Sequence, residues 1–111
     1  MTEADETVFE ASSEQLRDAL VVRASGELDA FSIDGLAEQL ESEETSVLLD
    51  LTGITYLSSA GVAALVLHTR RYAELGGRLC VVADQPAVLR PIALTGAEDA
   101  ITVVPTLEDA D

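Results

Sequence analysis

Apolar residues fall into two rhythms along this chain. Ala19–Ala24 (ALVVRA) is a short, nearly continuous apolar run with two adjacent valines, and it predicts a strand that stops at Gly26. Thr7–Ala11 is a shorter candidate strand, followed by a polar stretch around Ser12–Asp18 that reads as a loop. From Phe31 to Glu41 the rhythm changes. Ile33, Leu36, Ala37 and Leu40 recur at spacings of three and four, which marks one face of a helix. Ser32 is placed to cap that helix, with Asp34 near the positive end of its dipole. The acidic run Glu41–Glu44 would end it as a solvated turn. Val47–Leu51 (VLLDL) reads as a strand buried on both faces, in which Asp50 needs a partner near the strand's end. Thr52–Leu57, containing Gly53, reads as a turn.

A long helix follows, from Ser59 to Leu75, closed by Gly76 and Gly77. Val62, Leu65, Val66, Thr69, Tyr72 and Ala73 would line its inner face, leaving Arg70, Arg71 and Glu74 outside. Arg78–Val82 is the next strand, with Cys80 as a small core residue. Pro86–Leu94 makes a short helix that Pro91 limits or bends, and Ile101–Val104 is a last strand stopped by Pro105. Strands that alternate with helices predict an α/β layered fold with a largely parallel sheet.

Composition narrows the function more than the fold. The chain has 111 residues, is 48% hydrophobic and carries a formal charge of −15. That is enough apolar material for a single core, so the acidity does not mean disorder. It argues against nucleic acid and anionic membrane as partners, since both need a basic face. One cysteine and one histidine cannot close a zinc site, and no metal or other cofactor is expected. With no apolar run near the length of a membrane helix, and MTEADET unlike a signal peptide, a cytoplasmic domain is expected.

The charge is unevenly spread: net −12 over residues 1–50, +2 over 51–90 and −5 over 91–111. The near-neutral middle reflects either a surface for a partner or the lack of room for charge in the most apolar helix and strand.

That middle segment holds the most informative stretch, VLLDLTGITYLSSAGVAAL from Val47 to Leu65. A strand leads to two serines, Ser58 and Ser59, then Ala60 and Gly61 at the opening of the apolar helix. Either serine can cap the helix by accepting a bond from a free backbone N–H. A phosphate on a serine there is tolerated by the helix dipole, yet it would spoil any interface packed over that end.

Asp50-Leu51-Thr52 followed by Leu57-Ser58-Ser59-Ala60-Gly61-Val62 resembles the signature of the STAS domain of anti-sigma factor antagonists. Upstream, Gly26-Glu27-Leu28-Asp29 resembles the family's Gly-Glu-Leu-Asp after its second strand. The resemblance spans about residues 8–104 and implies one domain over residues 1–111, frayed at 1–6 and 106–111. It implies a small mixed, mostly parallel sheet of four or five strands with helices packed on one side. It also implies a protein that captures an anti-sigma factor with serine kinase activity and is released when a serine is phosphorylated. Aligned on Gly61, the acceptor is Ser59, with Ser58 as the fallback. Ser58 stands where the family has aspartate, and Ala60 where it has a second Ser or Thr. The implied contact surface is Asp29, Ser58, Ser59, Ala60, Gly61 and Val62, so that Gly61→Val would weaken binding, either by adding bulk where the partner approaches or, if the turn at Gly61 is strained, through stability. The other reading is a STAS adaptor that is not phosphorylated, within a transporter or signalling assembly.

Enzymatic readings fit less well, and no small-molecule substrate is expected. No Gly-x-Ser-x-Gly elbow surrounds either serine. His68 lies nine residues beyond Ser59 on the same predicted helix, about 13–14 Å away at 1.5 Å per residue, too far for a base. It reads as a surface or half-buried residue.

Overall fold

The computed structural model describes residues 9–16, 18–40 and 46–110. Its five strands are β1 (Glu10–Leu16), β2 (Ala19–Leu28), β3 (Ser46–Leu57), β4 (Arg78–Val82) and β5 (Thr102–Val104). They lie side by side in chain order. β1 is antiparallel to β2, and each later neighbour is parallel. Three helices form the crossovers: α1 (Ile33–Gln39), α2 (Ser59–Glu74) and α3 (Pro86–Leu94).

Such crossovers are almost always right-handed. Strands that advance in one direction therefore put every helix on the same face, as the mixed, mostly parallel arrangement requires. The core forms between them: Leu36, Leu65 and Val88 from the helices meet Val22, Leu49 and Val81 from the sheet. Tyr72 Oη donates to the Leu40 carbonyl at 2.7 Å, tying α2 to the end of α1. On the opposite face Cys80 and Val82 are also buried, and a short 3-10 turn at Leu107–Ala110 packs against β3, β4 and β5.

Several local expectations change. The polar stretch at Ser12 is not a loop but most of β1, paired with β2 from Glu10↔Ser25 to Leu16↔Ala19. It is an edge strand held by its backbone ladder, with only Ala11 partly buried, so no hydrophobic alternation announces it. Thr7 and Val8, and the acidic run Glu41–Glu44, lie outside the described residues. β2 does not stop at Gly26 but runs through it, at a positive φ of 96° and a register shift, to Leu28. α1 is shorter than expected, because Phe31 and Ser32 belong to the turn before it.

β3 changes the most. Val47–Leu51 is not buried on both faces; buried Val47, Leu49 and Leu51 alternate with half-buried Leu48 and Asp50. Asp50 finds its partners sideways, in Arg23 Nε at 3.8 Å on β2 and in Thr52, whose N and Oγ1 donate to it at 3.0 and 2.7 Å. Thr52–Leu57 is not a turn but the second half of this strand. The register against β2 steps from Arg23↔Asp50 to Ser25↔Gly53, and from Gly26↔Ile54 to Glu27↔Tyr56. Each step adds one residue to β3, a bulge that moves the next buried position three residues on instead of two. Leu51, Ile54 and Leu57 are the result. β4 reaches only to Val82↔Asp50. Beyond it, Gln85 Nε2 donates to the carbonyls of Leu51 (2.8 Å) and Ile54 (3.1 Å) in place of a fourth strand's ladder.

Candidate functional site

β2 and β3 end side by side, and the segments that leave them form one edge of the molecule. Leu28 pairs with Leu57 in the last rung. One residue further, Ser58 N donates to the Leu28 carbonyl at 3.0 Å. That bond fixes where α2 begins. Ser58 is extended (φ −82°, ψ 170°), and its Oγ accepts from Gly61 N at 3.1 Å. Ser58 is thus the cap that the sequence left open between two serines, and its hydroxyl oxygen is engaged in the helix.

Ser59 is different. It is the first residue of α2, it is exposed, and its hydroxyl has no hydrogen-bond partner among the described residues. Ala60 beside it is half-buried. Gly61 and Val62 turn inward: Gly61 is buried and Val62 is 3% exposed. A Cβ on Gly61 would stand 2.7 Å from both the Leu28 carbonyl oxygen and Leu57 Cδ1. Of the two routes expected for Gly61→Val, this contact favours the one through stability. The missing side chain makes room for the protein's own β2, and Val62 is covered except where it lines a cleft beside Ser59.

Across from Ser59 lies the turn Asp29–Ser32. Asp29 Oδ1 accepts from Phe31 N at 2.9 Å, and the Asp29 carbonyl accepts from Ser32 N at 3.1 Å. Ser32 Oγ accepts from Asp29 N at 2.9 Å and donates to the Glu27 carbonyl at 2.8 Å. Ser32 therefore binds the turn instead of capping α1 by its side chain. The turn carries Phe31, which is 97% exposed. Sequence reading passed over this residue by counting it as the first of a helix. Its position two residues before Ile33, off the apolar stripe of α1, was the available sign.

On its other side Ser59 borders a cleft of about 300 Å³ lined by Val62, Ala63, Val66, Thr95 and Ala97. Exposed Glu98 and Asp99 follow Ala97 directly.

His68 is not at the surface. It is 6% exposed, on the inward face of α2 with Leu65 and Tyr72, and its Nδ1 has no hydrogen-bond partner among the described residues. Burial, and then the nearby Arg71 charge, hold its pKa below the usual histidine value. A buried His68 and an exposed Ser59 on one helix cannot form a nucleophile and base pair.

A larger cleft of about 680 Å³ lies over β1–β3 and includes Arg23, Asp50 and Thr52. Arg23 there pairs with Asp50 and also reaches Glu14 at 3.1 Å. No cluster of metal-ligating side chains occurs among the described residues, and none of their helices is long and apolar enough to cross a membrane.

Comparison with known proteins gives a consistent result. Residues 10–110 match the STAS domain. An anti-sigma factor antagonist from Mycobacterium paratuberculosis is 27% identical, with 96% of this chain and 93% of that one covered and a TM-score of 0.82. The Bacillus cell fate determinant SpoIIAA in its phosphorylated form is similar in fold at 19% identity, over 91% of this chain and 96% of that one, with a TM-score of 0.67. The murine anion transporter Slc26a9 shares the fold over 87% of this chain but only 18% of its own, at 16% identity and a TM-score of 0.74.

Proposed function

Because the chain belongs to the STAS domain family, we propose that it acts as an anti-sigma factor antagonist switched by phosphorylation of Ser59. Unphosphorylated, it captures an anti-sigma factor with serine kinase activity. Transfer of the γ-phosphoryl group of ATP to Ser59 Oγ, with the hydroxyl proton passing to the kinase's base, releases it. One observation carries the reading: of two adjacent serines, Ser58 is engaged as the helix cap, while Ser59 is exposed with a hydroxyl that has no partner among the described residues. The 27% identity to a mycobacterial antagonist supports the partner class.

The chemistry of release follows from the position. A phosphate adds about −1.5 to −2 charges at neutral pH. At the first residue of a helix the macrodipole favours that charge, so the fold keeps its shape. A partner packed over the same spot would have to strip water from the dianion, and that cost falls on the complex alone. Ser58, Ser59 and Ala60, with the turn that starts at Asp29, make up the surface in contact.

The test is direct. The purified protein is incubated with Mg-ATP and the anti-sigma factor kinases of its own genome, then weighed intact. The expected result is a gain of one phosphoryl group by the wild type and by Ser58→Ala, and none by Ser59→Ala. A gain that persists in Ser59→Ala moves the acceptor elsewhere. Tight binding with no phosphorylation of the wild type by any kinase favours the fixed adaptor reading, for which the fold shared with Slc26a9 gives a precedent.

A further inference from the structure

Phe31 is a large apolar side chain that the fold does not use. At 97% exposed it gains nothing from the core, although burial of so large an apolar side chain is strongly favourable. Aromatic residues can be stranded on mobile loops at no consequence, but this one is held. Asp29 Oδ1 accepts from the Phe31 amide, and the hydroxyl of Ser32 is bonded to both Asp29 N and the Glu27 carbonyl. The Asp29–Ser32 turn is closed by Ser32 N to the Asp29 carbonyl at 3.1 Å, so its ends stand within about 7 Å of each other. That turn follows Leu28, whose carbonyl receives Ser58 N. The backbone therefore fixes Phe31 and Ser59 on the same edge, at the ends of adjacent strands.

We infer that Phe31 is the anchor by which the Ser59 face grips its partner, and that Asp29 is a positioning residue that holds the anchor out. The inference rests on the switch reading proposed above. The occupant is the anti-sigma factor kinase, presenting an apolar pocket to this loop. Continuity with the phosphorylation site argues for that partner: a protein that must reach Ser59 Oγ passes over the turn. Preorganisation argues for affinity, since a rigid aromatic with two side-chain torsions loses little entropy on docking. Binding anchors are typically such residues, seated in pockets and ringed by weaker polar contacts. The assignment also changes the role of Asp29. Its Oδ1 accepts from the Phe31 amide and from Ser32 Oγ at 3.2 Å, so in this assignment it acts on binding through the turn it holds.

The test titrates variants against a kinase that binds the wild type. Phe31→Ala is expected to weaken binding at least about thirtyfold, the least a hot-spot residue costs, with the urea midpoint unchanged. Asp29→Asn keeps an oxygen that can accept from Phe31 N and should stay within about twofold, whereas Asp29→Ala, which cannot form the turn bond, should lose about fivefold or more. Binding by Phe31→Ala within twofold of wild type overturns the anchor. Equal losses in Asp29→Asn and Asp29→Ala overturn the positioning role and make the charge the contact. Conversion of a dimer of this chain to monomer by Phe31→Ala, with kinase binding intact, would assign the residue to a second copy instead. If no kinase of the genome binds the wild type, the switch reading fails and takes this inference with it.

Discussion

Two serines, one after the other, illustrate how far single residues can be read. The sequence located both at the opening of a helix but could not divide the tasks, because capping and modification favour the same kind of residue at the same place. The division follows from one hydrogen bond. Ser58, extended at the cap, accepts from Gly61 N through its Oγ, and Ser59 is left outside. Replacing Ser58 by Ala should therefore cost about 1 kcal/mol of stability, read as a lower urea midpoint. Ser59→Asp should cost little, because it places negative charge where the helix dipole favours it. A Ser59→Asp variant that unfolds would mean that the site is structural. Gly61→Ala makes a sharper case. Helix propensity alone would favour alanine by about 1 kcal/mol, but its Cβ would meet a backbone oxygen at 2.7 Å. That oxygen is pinned by Ser58 N and cannot withdraw without breaking the bond that seats α2. Overpacking costs about 1–3 kcal/mol, so the expected sign is destabilising, by up to about 2 kcal/mol net of propensity, in the absence of any partner.

Among the elements, those carrying a strong rhythm were legible. β4 and α3 have the expected boundaries, and α2 ends within a residue of the expected position, with Gly77 N donating to the Tyr72 carbonyl at 2.9 Å. What escaped did so for definite reasons. β1 is an edge strand whose pairing leaves most side chains exposed, and the second half of β3 has bulges that turn a period of two into a period of three. On the inner face of α2, Val62, Leu65 and Tyr72 are buried as expected and Val66 and Thr69 half-buried, but Ala73, expected inside, is exposed, and His68 is buried. A helix face is chosen by what it packs on, and a polar residue can be carried inward with its neighbours. This one has a measurable consequence. The folded state disfavours the protonated form of His68, whereas the unfolded chain takes up its proton near pH 6.5. Below that pH the unfolded state therefore binds more protons, and stability rises with pH through this range. Acidification from pH 7 to pH 5 should lower the urea midpoint of the wild type, and His68→Leu should flatten that dependence. An equal fall in both proteins would place the titrating group elsewhere.

For the molecule as a whole, the question is what a charge of −15 does. It argues against polyanionic partners, and its uneven distribution leaves the segment that holds Ser58 and Ser59 nearly neutral. The phosphate proposed for Ser59 would add to a molecule that is already strongly negative, so its effect would come from contact rather than from reversing the long-range field. The same charge acts on stability. Among the described residues the ion pairs are those of Arg23 with Glu14 and Asp50, the first well exposed, and exposed pairs contribute about 0–1 kcal/mol. Repulsion among the remaining acids is thus largely uncompensated and opposes the compact state. Salt should therefore stabilise this protein, and the range in which it does so can be specified. The screening length falls from about 30 Å at 0.01 M to about 10 Å at 0.1 M and about 3 Å at 1 M, while the radius of gyration is 13.3 Å. Repulsion across the whole molecule is switched off mainly in the first interval, when the screening length drops below that radius. The urea midpoint should accordingly rise most between 0.01 and about 0.1 M NaCl and level off above it. A midpoint that falls with salt would show that ion pairs dominate, and one that climbs steadily to 1 M would show that the gain comes from solvent exclusion instead of screened repulsion.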